Sequence, residues 1–437
     1  MPLRNILPIT AQVDSQGHLS IGGCDCVELA REFGTPLYVF DEATLRHQCR
    51  SFVQEFRRRT ETTVLYAAKA YIGRALAAIL AEEGLGLDVV SGGELAVARS
   101  AGFPPERIYF HGNNKSAGEL GEALDYGVGR IVVDNLREME TLSAIARERA
   151  KRQPALLRLS PGIDPHTHAH TTTGVLDSKF GFPMATGQAE KALAAALALP
   201  GLEVVGLHVH LGSPIFEMEP YREASWAVAA FAATARDRYG FRWQEFSPGG
   251  GFAVQYVEEQ PAPAPAQYAE AIVSSLTEAC ASHGLPLPRL VVEPGRATVG
   301  RAGVALYTVG SRKEIPGVRR YVFVDGGMAD NIRPALYGAL YRALVANKAN
   351  IASEERVTIA GKYCESGDIL IRDIDLPRLE SGDIIAIPAA GAYCLAMASN
   401  YNLALRPAVV LVADGKARLI RRRESYEDLL QLEVFDG

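Results

Sequence analysis

Eight short apolar runs between Val64 and Val292 each stop at a polar or glycine-rich segment. They are VLYA at 64–67, LDVV at 87–90, RIYF at 107–110, RIVV at 130–133, ALLRL at 155–159, EVVGLHV at 203–209, QEF at 244–246 and RLVV at 289–292. Alanine- and leucine-rich helical patterns separate most of them. Strand and helix in regular succession predict a parallel sheet, and eight units over about 230 residues suit a closed (β/α)8 TIM-type barrel better than an open sheet. The fold class is therefore α/β, with chemistry expected at the C-terminal ends of the strands.

After Arg296 the alternation gives way to β-rich segments, GVALYTVG, RRYVFVDGG, ERVTIAG, DIIAIPAAG and AVVLVADGKARLIRR, punctuated by Gly, Pro and Asp. These read as an antiparallel β-sandwich or barrel domain. The stretch around HLSIGG precedes the first barrel helix, DEATLRHQCRSFVQEF, and is expected to join that domain, which makes it discontinuous. The expected boundaries are 41–300 for the barrel and 1–40 with 301–437 for the β domain. The segment EEQPAPAPAQY at 258–268 cannot be helical at its centre and reads as a surface loop.

The 437 residues hold 45 basic against 51 acidic side chains, a net of −6, and no dense basic run able to track a phosphate backbone, which argues against a nucleic-acid partner. No stretch approaches the roughly 20 apolar residues needed to cross a bilayer, and MPLRNILPIT lacks a signal-peptide core, so a cytoplasmic protein is expected. The six cysteines are too sparse for a disulfide framework and show no zinc spacing, so most are expected to be buried thiols.

Following the runs in order come Lys69, Ser91-Gly92-Gly93, His111, Asp134, a stretch after Ser160, His210 with Ser213, Gly249–Gly251, and Glu293 with Arg296. Polar turns at strand ends are normal in any barrel, and a Lys there alone is a solvated charge. The combination says more. GSP at 212–214 and SPGGG at 247–251 leave main-chain amides free of side chains where late βα loops commonly grip phosphate. Glu293 can keep a ring nitrogen protonated or can instead pair structurally with Arg296; His210 can stack on a planar ring, and His208 shares its face of the strand. A lysine able to condense with an aldehyde, a phosphate cradle and an acid for a pyridine nitrogen together describe pyridoxal 5′-phosphate. His166, His168 and His170 alternate in DPHTHAH, but no carboxylate or cysteine at ligand spacing accompanies them, so no metal is assigned and a polar loop is expected through Gly174.

At YAAKA, LDVVSGGEL, HGNNKS, DSKFG, HVHLGS, SPGGG, EPGR, DGGM, RPALY, CESGD and GAYC followed by SNYN, the chain resembles the diaminopimelate decarboxylase family, fold type III pyridoxal-phosphate enzymes. The resemblance runs from about Gly34 to the C-terminus and keeps the family's motif order. It implies that Lys69 links covalently to the cofactor, that His210 stacks on its ring and that Glu293 binds its nitrogen. Ser213, Gly250, Gly251, Arg296 and Tyr393 would surround the phosphate or its edge. It implies a homodimer with shared active sites, in which Cys364 and Glu365 reach into the partner's barrel; from sequence alone Cys364 would be a buried thiol by default.

The reaction so implied is decarboxylation of meso-2,6-diaminopimelate to L-lysine and carbon dioxide, the last step of lysine biosynthesis, with Cys364 as proton donor. Arg296, Arg333, Tyr337, Glu365 and Tyr393 would bind the substrate: its distal carboxylate calls for the arginines and its distal ammonium for Glu365. Ornithine and lysine decarboxylases of this fold need an acidic residue for a bare ammonium, so Arg333 favours diaminopimelate. Tyr71 and Asn331 depart from the family's usual residues and leave another basic amino acid or a carboxylated polyamine as the alternative substrate. Two other classes compete. A cofactor-free binding relative would be expected to lack Lys69 or Cys364, and a racemase on the same barrel uses a tyrosine acid and has no CESGD element.

Overall fold

The eight apolar runs form eight parallel strands. These are β1 (Thr62–Ala67), β2 (Gly86–Val89), β3 (Ile108–Phe110), β4 (Arg130–Val133), β5 (Gln153–Ser160), β6 (Leu202–His208), β7 (Glu245–Gly249) and β8 (Arg289–Val292). The structure is a computed structural model that describes residues 3–164, 173 and 177–435. β8 pairs with β1 through Leu290↔Thr62 and Val292↔Val64, which closes the barrel. Leu65, Tyr109, Val132, Leu156, Val205 and Val291, one from each of six strands, pack together as a buried layer. Strands covered on both faces can be apolar throughout, which is why the runs are so continuous. A two-residue strand, Phe182–Pro183, adds in parallel beside β5.

Local sequence starts the helices directly after the strands. The Ser91 hydroxyl accepts from Glu94 N–H and the Asn135 side chain from Glu138 N–H, while Ser116 and Glu119 form a reciprocal capping box. Gly127 (φ +89°) and Gly240 (φ +67°) end two helices in the left-handed region, where a side chain would be strained. Residues 261–264 of the Pro/Ala-rich segment are not helical, and Pro265 opens the helix Pro265–Ser282.

The chain divides into two compact units, one of residues Cys49–Ala253 with Ala262–Gly295, the other of Met1–Gln48, Val254–Pro261 and Arg296–Gly437. The second is built on the long strand Gly303–Ile315, which pairs antiparallel with Leu37–Asp41, Arg319–Val324 and Ile384–Ile387. Its core joins Leu19, Ile21 and Leu37 to Val304, Leu306, Ala386 and Val410. The sheet is mixed rather than purely antiparallel, because Ala408–Ala413 runs parallel to Leu37–Asp41 and Arg319–Val324 parallel to Glu355–Ala360. Partners so far apart in sequence leave no hairpin signature. Hydropathy does not mark the strand Ile369–Leu376, because its charged residues interrupt the apolar pattern. Among the described residues no helix is long and apolar enough to cross a membrane.

Candidate active site

β1 runs into a single 3-10 turn, Ala68–Ala70, in which both alanines are buried and Lys69 is half-buried. Its charge acts on Asp88, His111, His208 and His210, so the ammonium belongs to the group of ionisable side chains at the ends of β2, β3, β6 and β8.

Glu293 is the centre of that group. Its Oε1 accepts the Ser247 hydroxyl at 2.7 Å, and its Oε2 lies 3.2 Å from His208 Nε2. His111 Nε2 is 3.6 Å from Glu293 Oε1 and 3.6 Å from Asp88 Oδ1, which places that ring between the two carboxyls. Burial pushes Asp88 up to about 8; Lys69 opposes the rise and Glu293 adds to it. Burial works on Glu293 in the same sense but is outweighed by His208, His111 and Ser247, which hold its carboxyl below the usual range. Burial also holds His111, His208 and His210 below the ordinary histidine range, so the three rings are neutral at pH 7. Glu293 is therefore the anionic member of the group, hydrogen-bonded by Ser247 and His208, and Asp88 carries a proton.

This arrangement fits a pyridine ring nitrogen. Asp88 Oδ1, His111 Nε2 and His208 Nδ1 are buried without a hydrogen-bond partner among the described residues, so the cluster has polar capacity to spare for a bound group. Ligand atoms of His111, His208 and Glu293 lie within 4.8 Å of one another, close enough for a metal ion. The charges of Lys69 and the buried Arg158, which both act on these histidines, oppose a divalent cation there and suit an anionic cofactor. His166, His168 and His170, weighed from sequence as metal ligands, lie outside the described residues.

The glycine-rich loops fit a phosphate. Gly249 (φ +79°) and Gly251 (φ +100°) occupy backbone conformations that side chains disfavour. A Cβ at 251 would lie 2.6 Å from Gly212 O, and Ile215 N–H donates to Gly251 O at 2.8 Å, so the loop carrying Ser213 lies backbone to backbone against the triple glycine. Ser213 is half-buried there. Gly250 N–H donates to His210 Nδ1 at 3.1 Å, which fixes that nitrogen as an acceptor and the ring as the neutral tautomer suited to stacking.

The β unit holds a second cluster. Arg333 opens the short helix Arg333–Tyr337, which puts Tyr337 one turn away on the same face. Its guanidinium is buried, lies 4.6 Å from the Tyr256 ring centroid and donates to the Tyr341 hydroxyl. No carboxylate among the described residues pairs with it. Arg296, also buried, donates to the Tyr256 hydroxyl at 2.8 Å and lies 4.6 Å from the Tyr393 ring centroid. Tyr393 sits at φ +62°, a conformation rare for a side-chain-bearing residue and the kind of strain that gathers at functional sites. Cys364 is exposed, which corrects the default expectation of a buried thiol; Glu365 beside it is exposed too. The Cys364 N–H is held by Asn402 Oδ1 at 2.9 Å.

Residues 42–300 match the family described as pyridoxal-dependent decarboxylase, pyridoxal binding domain. A diaminopimelate decarboxylase of Bacillus subtilis is 47% identical over 426 residues, 97% of each chain. The chain belongs to the diaminopimelate decarboxylase family. Its fold agrees: a diaminopimelate decarboxylase of M. jannaschii, solved with L-lysine, superposes with a TM-score of 0.91 at 34% identity over 98% of both chains. The Helicobacter pylori diaminopimelate decarboxylase, also solved with L-lysine, gives a TM-score of 0.85 at 33% identity over 93% of this chain and 98% of that one.

For a member of the diaminopimelate decarboxylase family, the barrel brings Lys69, His210, Ser213, Gly250, Gly251 and Glu293 to one end, and the β unit brings Arg296, Arg333 and Tyr393 around Tyr256. The two departures from the family pattern have internal partners: Tyr71 O accepts the Tyr66 hydroxyl at 2.6 Å, and Asn331 Oδ1 accepts the Arg333 N–H at 3.4 Å. The sequence pattern alone does not point to Asp88, Arg158, Ser247, Tyr256 or Tyr341. Asp88 and Arg158 lie inside apolar runs, where an interruption by one charge is itself the available signal. Nothing in the pattern around Tyr256 or Tyr341 marks them.

Proposed function

We propose that this protein decarboxylates meso-2,6-diaminopimelate to L-lysine and carbon dioxide with pyridoxal 5′-phosphate as cofactor. The cofactor, when bound, supplies the sink for the electron pair left as carbon dioxide departs. Lys69 provides the amine that anchors it, and the loops of Ser213, Gly250 and Gly251 provide the phosphate cradle. Glu293, anionic and fixed by Ser247 and His208, would keep a ring nitrogen protonated and so strengthen that sink. His210, neutral and tethered at Nδ1, would support the ring. Arg296, Arg333, Tyr337 and Tyr393 bind the substrate. Cys364 and Glu365 act from a partner subunit in a homodimer, the thiol delivering the proton that replaces the lost carboxylate and Glu365 taking the distal ammonium. Their exposure on this chain supports that division of labour. Six free cysteines suit a reducing, cytoplasmic setting.

The observation that carries the substrate choice is Arg333, a buried guanidinium with no carboxylate partner among the described residues, held by aromatic rings and a phenol. A buried cation without a counter-ion calls for an anionic ligand. The distal carboxylate of diaminopimelate meets that need; the bare ammonium ends of lysine and ornithine do not. Carbon dioxide release from meso-diaminopimelate, lysine, ornithine and arginine tests the reading. Diaminopimelate is expected to exceed the others by about 10²-fold or more in kcat/KM, and faster turnover of lysine or ornithine would overturn it.

A further inference from the structure

We infer that Tyr256 is a positioning residue that sets the spacing and orientation of Arg296 and Arg333 for one carboxylate of the substrate, an inference that rests on the diaminopimelate reading above. Tyr256 touches both arginines with different parts of one side chain. Its hydroxyl accepts from Arg296 Nη1 at 2.8 Å, and its ring lies 4.6 Å from Arg333 Cζ. The two guanidinium groups are therefore tied to a single planar group, whose ring permits few rotamers.

The tyrosine is itself held in place. It lies in the short segment Val254–Pro261, where Val254 and Val257 are buried on either side, and it packs against the main core of the β unit. Its ring meets that of Tyr341 edge to face at 5.3 Å. The Tyr341 hydroxyl in turn accepts from Arg333 and lies 3.4 Å from Cys394 Sγ. Arg333 is thus gripped from two aromatic sides while Arg296 is tied through the phenol oxygen.

A single ring that gathers two cations creates a repulsion that an anion shared by both would relieve. A carboxylate with two oxygens matches two forks of N–H donors. If either arginine were free to rotate, each binding event would have to order it again, and affinity would fall with no change in the chemical step. The expected signature is a loss of substrate affinity at nearly constant turnover.

The test uses the pyridoxal-phosphate-loaded enzyme and the variants Tyr256→Phe and Tyr256→Leu. Tyr256→Phe keeps the ring against Arg333 and removes only the oxygen that holds Arg296; Tyr256→Leu removes both contacts. KM for meso-diaminopimelate and the inhibition constant of L-lysine, which retains the distal carboxylate, are expected to rise about 5-fold in the first and about 10-fold or more in the second. The kcat is expected to stay within about 3-fold, and inhibition by cadaverine, which has no carboxylate, to be unchanged. Unaltered KM in Tyr256→Phe, measured on protein whose melting temperature matches the parent, overturns the inference even if Tyr256→Leu does not fold. A fall in kcat at constant KM, or weakened cadaverine inhibition in parallel with lysine, overturns it as well. In each of these cases the diaminopimelate reading stands as long as the parent enzyme releases carbon dioxide from that substrate; a parent without that activity removes the reading and the inference together.

Discussion

His208 Nε2 lies 3.2 Å from Glu293 Oε2 in a buried pair whose imidazole is neutral and whose carboxylate is not. The pair keeps a negative charge at the end of the barrel. The charge is then available to a protonated ring. Glu293→Gln preserves the shape of the group and removes only the charge. Turnover is expected to fall by about 10²-fold or more, the scale seen when one preorganised electrostatic partner is lost, with KM changing much less. Steady-state kinetics check this, and a kcat within about 3-fold of the parent would count against the assigned role.

Asp88 and Glu293 face the same His111 ring at 3.6 Å, and the proton resides on Asp88. The sign of the linkage follows. A carboxyl whose folded pKa is raised to about 8 binds a proton in the native state that the unfolded chain, with a pKa near 4, has already lost. Its contribution is full below about pH 4 and is lost as pH rises to about 8. In Asp88→Asn that loss is absent. Between pH 5 and 8 the stability of the variant relative to the parent should therefore climb with pH, by at most about 1.4 kcal/mol per unit. Urea unfolding of both proteins across that range measures it. A difference independent of pH would show that Asp88 is ionised throughout.

What the chain discloses before folding divides along physical lines. A barrel strand buried on both faces must be apolar along its length, so all eight strands could be located from hydropathy alone. Catalytic candidates directly beyond them, such as Lys69, Glu293 and Gly249–Gly251, could be read by position. Ser247 and Asp88 lie inside strands, where alternation decides which face they take and register cannot be read off one run. Tyr256 belongs to a segment with no period at all, and its contacts with Arg296 and Arg333 join residues 40 and 77 positions apart. The parallel pairing of Leu37–Asp41 with Ala408–Ala413 is similarly non-local. Exposure of Cys364 escapes composition because cysteine is so often buried.

Arg333 lies buried against Tyr256 and Tyr341 with no carboxylate partner among the described residues. If it receives the distal carboxylate, Arg333→Ala removes a charge-assisted contact worth about 1.5–3 kcal/mol. The Michaelis constant for meso-diaminopimelate should rise by about 10- to 100-fold. Replacement by Lys keeps the charge and loses the planar fork, so Arg333→Lys is expected to recover part of the affinity but not all of it. Initial-rate measurements over a range of substrate concentration decide the matter; a KM unchanged in Arg333→Ala would refute the assignment.

Glu245 supplies a contrast, because its network is confined to the start of β7 and concerns the barrel's integrity. It accepts the Tyr109 hydroxyl at 2.9 Å and Arg130 Nη2 at 2.6 Å, and it also takes a hydrogen bond from Arg289. The residues bonded to it come from β3, β4 and β8, so one carboxylate ties together strands distributed around the barrel. Truncation leaves a buried phenol and two partly buried guanidinium groups without their acceptor. Breaking such a buried charged network by removing one partner costs about 3–5 kcal/mol in other proteins. Glu245→Ala should therefore lower the urea midpoint substantially, whereas Glu245→Gln, which retains one acceptor oxygen, should lower it less. Because the network lies at the strand ends opposite Lys69, KM and kcat of the folded fraction should match the parent. A loss of activity without a loss of stability would mean that the two ends of the barrel are coupled.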